Sequence, residues 1–136
     1  MSQTEVWMCY GCCCGVAAVD VRHRPRREPL DRIRTAMEVR LREGGLGDVR
    51  IQKTGCLGPC SKGNMVVVHR PGVEAHVFQG VNNQRVGVDV ADFAMDMERR
   101  GWGSEVPASL DPHVYGTVAA DEVPPPPSPE PYKDRH

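Results

Sequence analysis

The chain has 136 residues, 40% of them hydrophobic and 5% aromatic, with a formal net charge of −1. That length suits one domain with a single core, and no run of about 18 apolar residues is present to form a transmembrane helix. Residues 20–43 hold eight Arg against five acids, but no aromatics interleave them and the whole chain is not basic, which argues against nucleic acid as a partner.

The first apolar stretch, Val6-Trp7-Met8, is short and ends at Cys9, so it reads as a buried strand feeding a loop. Pro25 and Pro29 deny the following segment a long helix. From Pro29 onward a helix is expected, because Leu30, Ile33, Met37 and Leu41 recur at spacings of three and four and make one apolar stripe. Arg32, Glu38, Arg42 and Glu43 occupy the opposite, solvated face, and Gly44-Gly45 supplies the stop.

Val49-Arg50-Ile51-Gln52 alternates strictly and predicts a strand. A glycine-rich loop from Gly55 to Gly63 carries Cys56 and Cys60, and Met65-Val66-Val67-Val68 then reads as a central strand. Pro71-Gly72 signals a turn, so Ala75-His76-Val77-Phe78 is expected to return as a hairpin. A second helix is expected over Asp89 to Arg100, with Val90, Phe93, Ala94 and Met97 on one side and Gly101 and Gly103 ending it.

The order β-α-β-β-β-α predicts an α/β protein of two layers, a mixed sheet covered by helices, with the first two strands parallel through a crossover helix. Residues 1–104 form the expected domain. Residues 105–121 read as an extension wrapping the domain as coil, and residues 122–136 as a proline-rich disordered tail. This C-terminal part is acidic, with six acids against two bases over residues 105–136. Met1-Ser2-Gln3-Thr4-Glu5 lacks the basic-then-apolar order of a secretory signal, so the expected compartment is the cytoplasm.

Six cysteines in a reducing compartment point to metal ligands or redox thiols rather than disulfides. Cys9, Cys12, Cys13 and Cys14 follow the first strand; Cys56 and Cys60 lie in the loop after the second. If those strands are parallel neighbours, both loops leave the same edge of the sheet and can build one four-sulfur site. Zinc tolerates the spacings Cys9-x2-Cys12 and Cys56-x3-Cys60. The C-x2-C-x2-C run of [4Fe–4S] ferredoxins is absent, and so is the plant-type C-x4-C-x2-C spacing.

The string Thr54-Gly55-Cys56-Leu57-Gly58-Pro59-Cys60-Ser61-Lys62-Gly63-Asn64, with Cys9-x4-Cys14 before it, resembles the thioredoxin-like [2Fe–2S] ferredoxins. Its cysteine pairs are similar to those of the thioredoxin-like subunit of respiratory NADH dehydrogenase, and the likeness covers about residues 5–100. The resemblance implies a thioredoxin-like fold holding a [2Fe–2S] cluster through four thiolates. It further implies single electrons passed between redox partner proteins, and a homodimer. It maps the first ligand to Cys9 and the last two to Cys56 and Cys60. The x4 spacing selects Cys14 as the second, with Cys13 next in line. Adjacent side chains point in different directions, so Cys12, Cys13 and Cys14 are not all expected to bind one cluster.

Two other readings stand beside this one. A structural zinc module would use the same thiolates to bind another protein, and a thiol–disulfide oxidoreductase would use Cys9 and Cys12. No enzyme is expected, since the chain has neither a GxGxxG fingerprint nor a Walker loop and offers no other recognisable substrate site. His69 and His76 fall on the paired hairpin strands, where they could approach each other; with sulfur ligands available they read as rim residues. Trp7 reads as core, Trp102 as packing at a helix end, Met95 and Met97 as packing, and Lys62 as solvated.

Overall fold

A computed structural model of the chain describes residues 3–9, 18–19, 25–54, 64–100 and 106–123. Strand β1 spans Glu5–Cys9, a two-stranded ribbon pairs β2 (Ala18–Val19) with β3 (Pro25–Arg27), and helix α1 spans Leu30–Glu43. Then come β4 (Arg50–Thr54), β5 (Val66–His69), β6 (Ala75–Phe78), helix α2 (Gln84–Arg100) and β7 (Val114–Val118). The main sheet has the order β4-β1-β5-β6-β7. Only β1 and β4 are parallel; the other three pairs are antiparallel, which makes the sheet mixed. This is the expected α/β architecture, in the arrangement of a two-layer thioredoxin-like fold.

Helix α1 forms where its stripe predicts. Leu30, Ile33, Met37 and Leu41 are all buried, with Asp31 in the first turn and Arg40 and Arg42 in the last, a distribution that suits the helix dipole. It closes with Gly45 at a φ of 79°. There the Leu46 N–H donates to the Leu41 carbonyl at 2.8 Å, and the Gly45 N–H to that of Arg42 at 3.0 Å. A left-handed residue is needed at that position, which glycine supplies without strain.

Helix α2 begins five residues earlier than its apolar pattern indicated. Asn83 is the reason: its Oδ1 accepts from the Val86 N–H at 2.9 Å and satisfies a donor that the first turn leaves without a partner. Gly87, a weak helix former, sits inside the added turn because the two helices meet there. A Cβ at Gly87 would lie 2.7 Å from Cγ2 of Ile33.

Alternation along β1 divides the interior in two. Val6 and Met8 face the helices with Val66, Val68 and Phe78, where Ile33, Met37, Val90 and Phe93 complete the larger core. Trp7 and Cys9 face the other way with Met65, Val67, Ala75 and Val77. Met95 and Met97 pack in the larger core, as their sequence context suggested.

The extension after α2, expected as coil, is structured over its described part. Leu110 is fully buried in the helix-side core, and β7 then adds a fifth strand beside β6. Val118 and Val123 pack against the opposite cluster, the one that contains Cys9. The chain therefore passes around the β6 edge from one face of the sheet to the other. Trp102 and the tail beyond Val123 lie outside the described residues. Among those described, no helix is long and apolar enough to cross a membrane.

The N-terminal strand is tied to α2 by Glu98, whose Oε1 accepts from the N–H groups of Gln3 and Thr4, both at 2.9 Å. Partial burial works against the ionised carboxyl. The hydrogen bonds from Thr4 and Gln3, with the charge of Arg70, outweigh it and hold the Glu98 pKa below its ordinary 4.5.

Two expectations follow. Gly87→Ala gains about 1 kcal/mol of helix propensity but must displace Ile33, so it is expected to be no more stable than the parent. Gly87→Leu should lose about 1–3 kcal/mol in urea unfolding through overpacking. Because the folded carboxyl is the stronger acid, the stabilisation from Glu98 is complete above pH 4.5 and is lost as pH falls through its depressed folded value. Glu98→Gln should accordingly flatten the acid limb of a plot of thermal midpoint against pH.

Candidate metal centre

Strand β1 delivers Cys9 to its C-terminal end, directly opposite Thr54 at the end of β4. On the other side of β1 runs β5, with Val66 opposite Met8, and the Cys9 N–H donates to the Met65 carbonyl at 3.2 Å. The nine residues from 55 to 63 thus join two strands that flank β1, and Cys9 terminates the strand between them. Cys56 follows Thr54 by two residues, a stretch of chain no longer than about 7 Å.

The Cys9 side chain is fully buried among Trp7, Met65, Val67, Ala75 and Val77. Of the proposed ligands it alone is among the described residues; Cys14, the second-choice Cys13, Cys56 and Cys60 lie outside them, as do Cys12 and Lys62. Among the described residues no three His, Cys, Asp or Glu side chains converge to hold a metal ion.

Both ends of the 55–63 connection are held by buried polar side chains. Thr54 is fully buried and its Oγ1–H donates to the Met8 carbonyl at 3.3 Å. Asn64, also fully buried, donates its N–H to Oδ1 of Asn82 at 3.0 Å and its side-chain amide to the Val81 carbonyl at 3.0 Å. Its own carbonyl accepts from the Val81 N–H at 3.1 Å. Burying an amide is costly unless it is hydrogen-bonded, so these contacts fix where the connection begins and ends.

Asn82 also binds the chain between β3 and α1. Its main-chain carbonyl accepts from the Glu28 N–H at 2.7 Å, just after β3. The Glu28 carboxylate in turn accepts from the main-chain and side-chain amides of Gln84, at the start of α2.

The two hairpin histidines do not meet. Register places Val68 opposite His76, so His69 points to the other face of the sheet. There its ring lies 5.0 Å from that of Trp7, whose Nε1–H donates to Glu5 Oε1 at 3.1 Å. His76 packs edge-on against Phe93, also at 5.0 Å. Burial lowers both histidine pKa values, with Glu5 opposing the shift at His69 and Glu74 at His76. Trp7 is 4% exposed and belongs to the core beside Cys9.

Sequence reasoning marked the glycine loop but assigned nothing to Thr54, Asn64 or Asn82. The pair Asn82-Asn83 ahead of an apolar stripe is a helix-start signal; the burial of Asn64 and Thr54 is a tertiary property with no local signature. Compared with models of known protein families, with curated proteins and with solved structures, the chain matches none.

Replacing Asn64 should show how firmly the connection is held. Asn64→Leu strands the Val81 carbonyl and is expected to cost about 1–3 kcal/mol. Thr54→Val, nearly isosteric, should cost about 1 kcal/mol, both read from urea unfolding of the metal-free chain.

Proposed function

We propose that this chain is a one-electron carrier that holds a [2Fe–2S] cluster through Cys9, Cys14, Cys56 and Cys60, with Cys13 the alternative second thiolate. It passes electrons between redox partner proteins, in the cytoplasm, where its thiols stay reduced. The observation that carries this reading is the placement of Cys9 at the end of a strand whose two neighbours are joined by the segment bearing Cys56 and Cys60. Sulfur donors from separate segments suit such a cluster, which supplies reversible one-electron transfer when bound.

The chain's own residues would do the remaining work. Packing of Cys9 against Trp7, Met65 and Val67 keeps water from its sulfur, and solvent exclusion is one of the levers that set a cluster's potential. Thr54 and Asn64 restrain the ends of the segment that brings the last two thiolates. The burial of Cys9 weighs against the thiol–disulfide reading, since an attacking thiolate must be accessible to its substrate.

The test is the visible spectrum of anaerobically purified protein, with iron and acid-labile sulfide assayed on the same sample. Bands that bleach on reduction, with about two irons and two sulfides per chain, are expected. Cys56→Ser and Cys60→Ser should each abolish them, and Cys12→Ser should retain them. A colourless protein with stoichiometric zinc would replace this reading with a structural zinc module.

A further inference from the structure

Residues 106–123 are held to the rest of the fold by few anchors. Leu110 alone among them is fully buried, and it enters the helix-side core with Val106 partly buried beside it. On the opposite face Val118 and Val123 are only partly buried, while Val114 is 39% exposed and Tyr115 51%. Among the described residues, the hydrogen bonds to other elements are those of the β6 ladder, whose register slips between Val77 and Phe78, and a pair with Gln79. The Gln79 N–H donates to the His113 carbonyl at 2.7 Å, and the Gln79 carbonyl lies 3.1 Å from Nδ1 of His113.

We propose that this segment is a strap that opens as a unit while the rest of the fold stays closed, and that in its closed form it guards the edge of β6. Because β7 is the last strand of the sheet, its release breaks one ladder and leaves the β4-β1-β5-β6 pairing and both helices intact. Segments with few buried apolar contacts and exposed main chain open ahead of the global transition. Here one leucine side chain sets most of the cost.

The strap covers the outer edge of Ala75-His76-Val77-Phe78, a strand with no Lys, Arg, Asp or Glu, in which Ala75, Val77 and Phe78 are buried. At the other end of the sheet, β4 carries Arg50 and Lys53, the kind of residue that keeps a free edge from pairing. Strand β6 has no such protection of its own. Once released it presents a row of unpaired main-chain groups beside apolar side chains, a template for another chain. The inference stands on the described fold and does not need the thiolate reading.

The experiment is native-state hydrogen exchange of the full chain, with sedimentation over a concentration series under reducing conditions. It compares wild type with Leu110→Ala, which loosens the strap, and Ile51→Val, which weakens the sheet at its far edge. In wild type the amides that join β6 to β7 should be less protected than those of β1. Leu110→Ala should speed exchange of these β6–β7 amides about thirtyfold and should sediment as larger species than wild type as concentration rises. Ile51→Val should speed β1 exchange about fivefold, leave the β6–β7 amides at their wild-type rate and sediment as wild type does. Should Leu110→Ala not fold, Leu110→Val carries the comparison, with about fivefold faster β6–β7 exchange expected.

Equal protection of β7 and β1 in wild type, or Ile51→Val speeding both together, means that the segment opens only with the whole domain and overturns the proposal. Unchanged β6–β7 exchange in the Leu110 variant overturns it as well. Sedimentation of that variant no different from wild type, or matched by Ile51→Val, overturns the guarding of the β6 edge.

Discussion

Strand β1 has a parallel neighbour on one side and an antiparallel neighbour on the other. A parallel pair cannot be closed by a tight turn, so α1 must carry the chain from β1 to β4. Having arrived beside β1, the chain reverses direction and resumes on the far side of it as β5. The 55–63 connection is thereby committed to joining strands on either side of Cys9, whatever its composition. Buried hydrogen bonds then hold one end to the sheet at Thr54 and the other, at Asn64, to the turn between β6 and α2.

The two faces of the sheet divide the labour. Even-numbered residues of β1 enter a large core with both helices, in which aliphatic, methionine and phenylalanine side chains interlock closely enough that Gly87 leaves no room for a methyl group. Odd-numbered residues place Cys9 and Trp7 in a smaller cluster, against which the C-terminal extension lays Val118 and Val123. Cys9 and most of the packing therefore sit on opposite sides of one strand, with Met8 and Cys9 adjacent in the chain.

Periodicity made much of this readable. The stripe Leu30, Ile33, Met37, Leu41 and the glycine pair after it specify α1 locally, and alternation in Val49–Gln52 and the valine run at 66–68 mark strands. What escaped depends on partners far away in sequence. The start of α2 is polar and contains Gly87, whose fitness comes from Ile33 on another helix. Val114–Val118 lies in a stretch punctuated by proline and glycine, and becomes a strand because β6 offers it an edge. A single-residue offset in register decides that His69 and His76 occupy opposite faces. Likewise, the family resemblance of the cysteine pairs nominated Cys9, Cys14, Cys56 and Cys60, but the residues that hold the ends of the 55–63 connection are a neutral amide and a hydroxyl, which look like ordinary loop residues until their partners are known.

The central position of β1 also bears on how the chain is made. It leaves the ribosome before either of its neighbours, both of which are synthesised only after α1 is complete. A nascent chain ending at α1 thus presents Val6, Trp7, Met8 and Cys9 with no sheet to join, and the non-local pairings that bury them must form late and cooperatively. Until β4 and β5 emerge, β1 lacks both of its partners, and its thiol meets the surrounding solvent before it has a protein interior to enter.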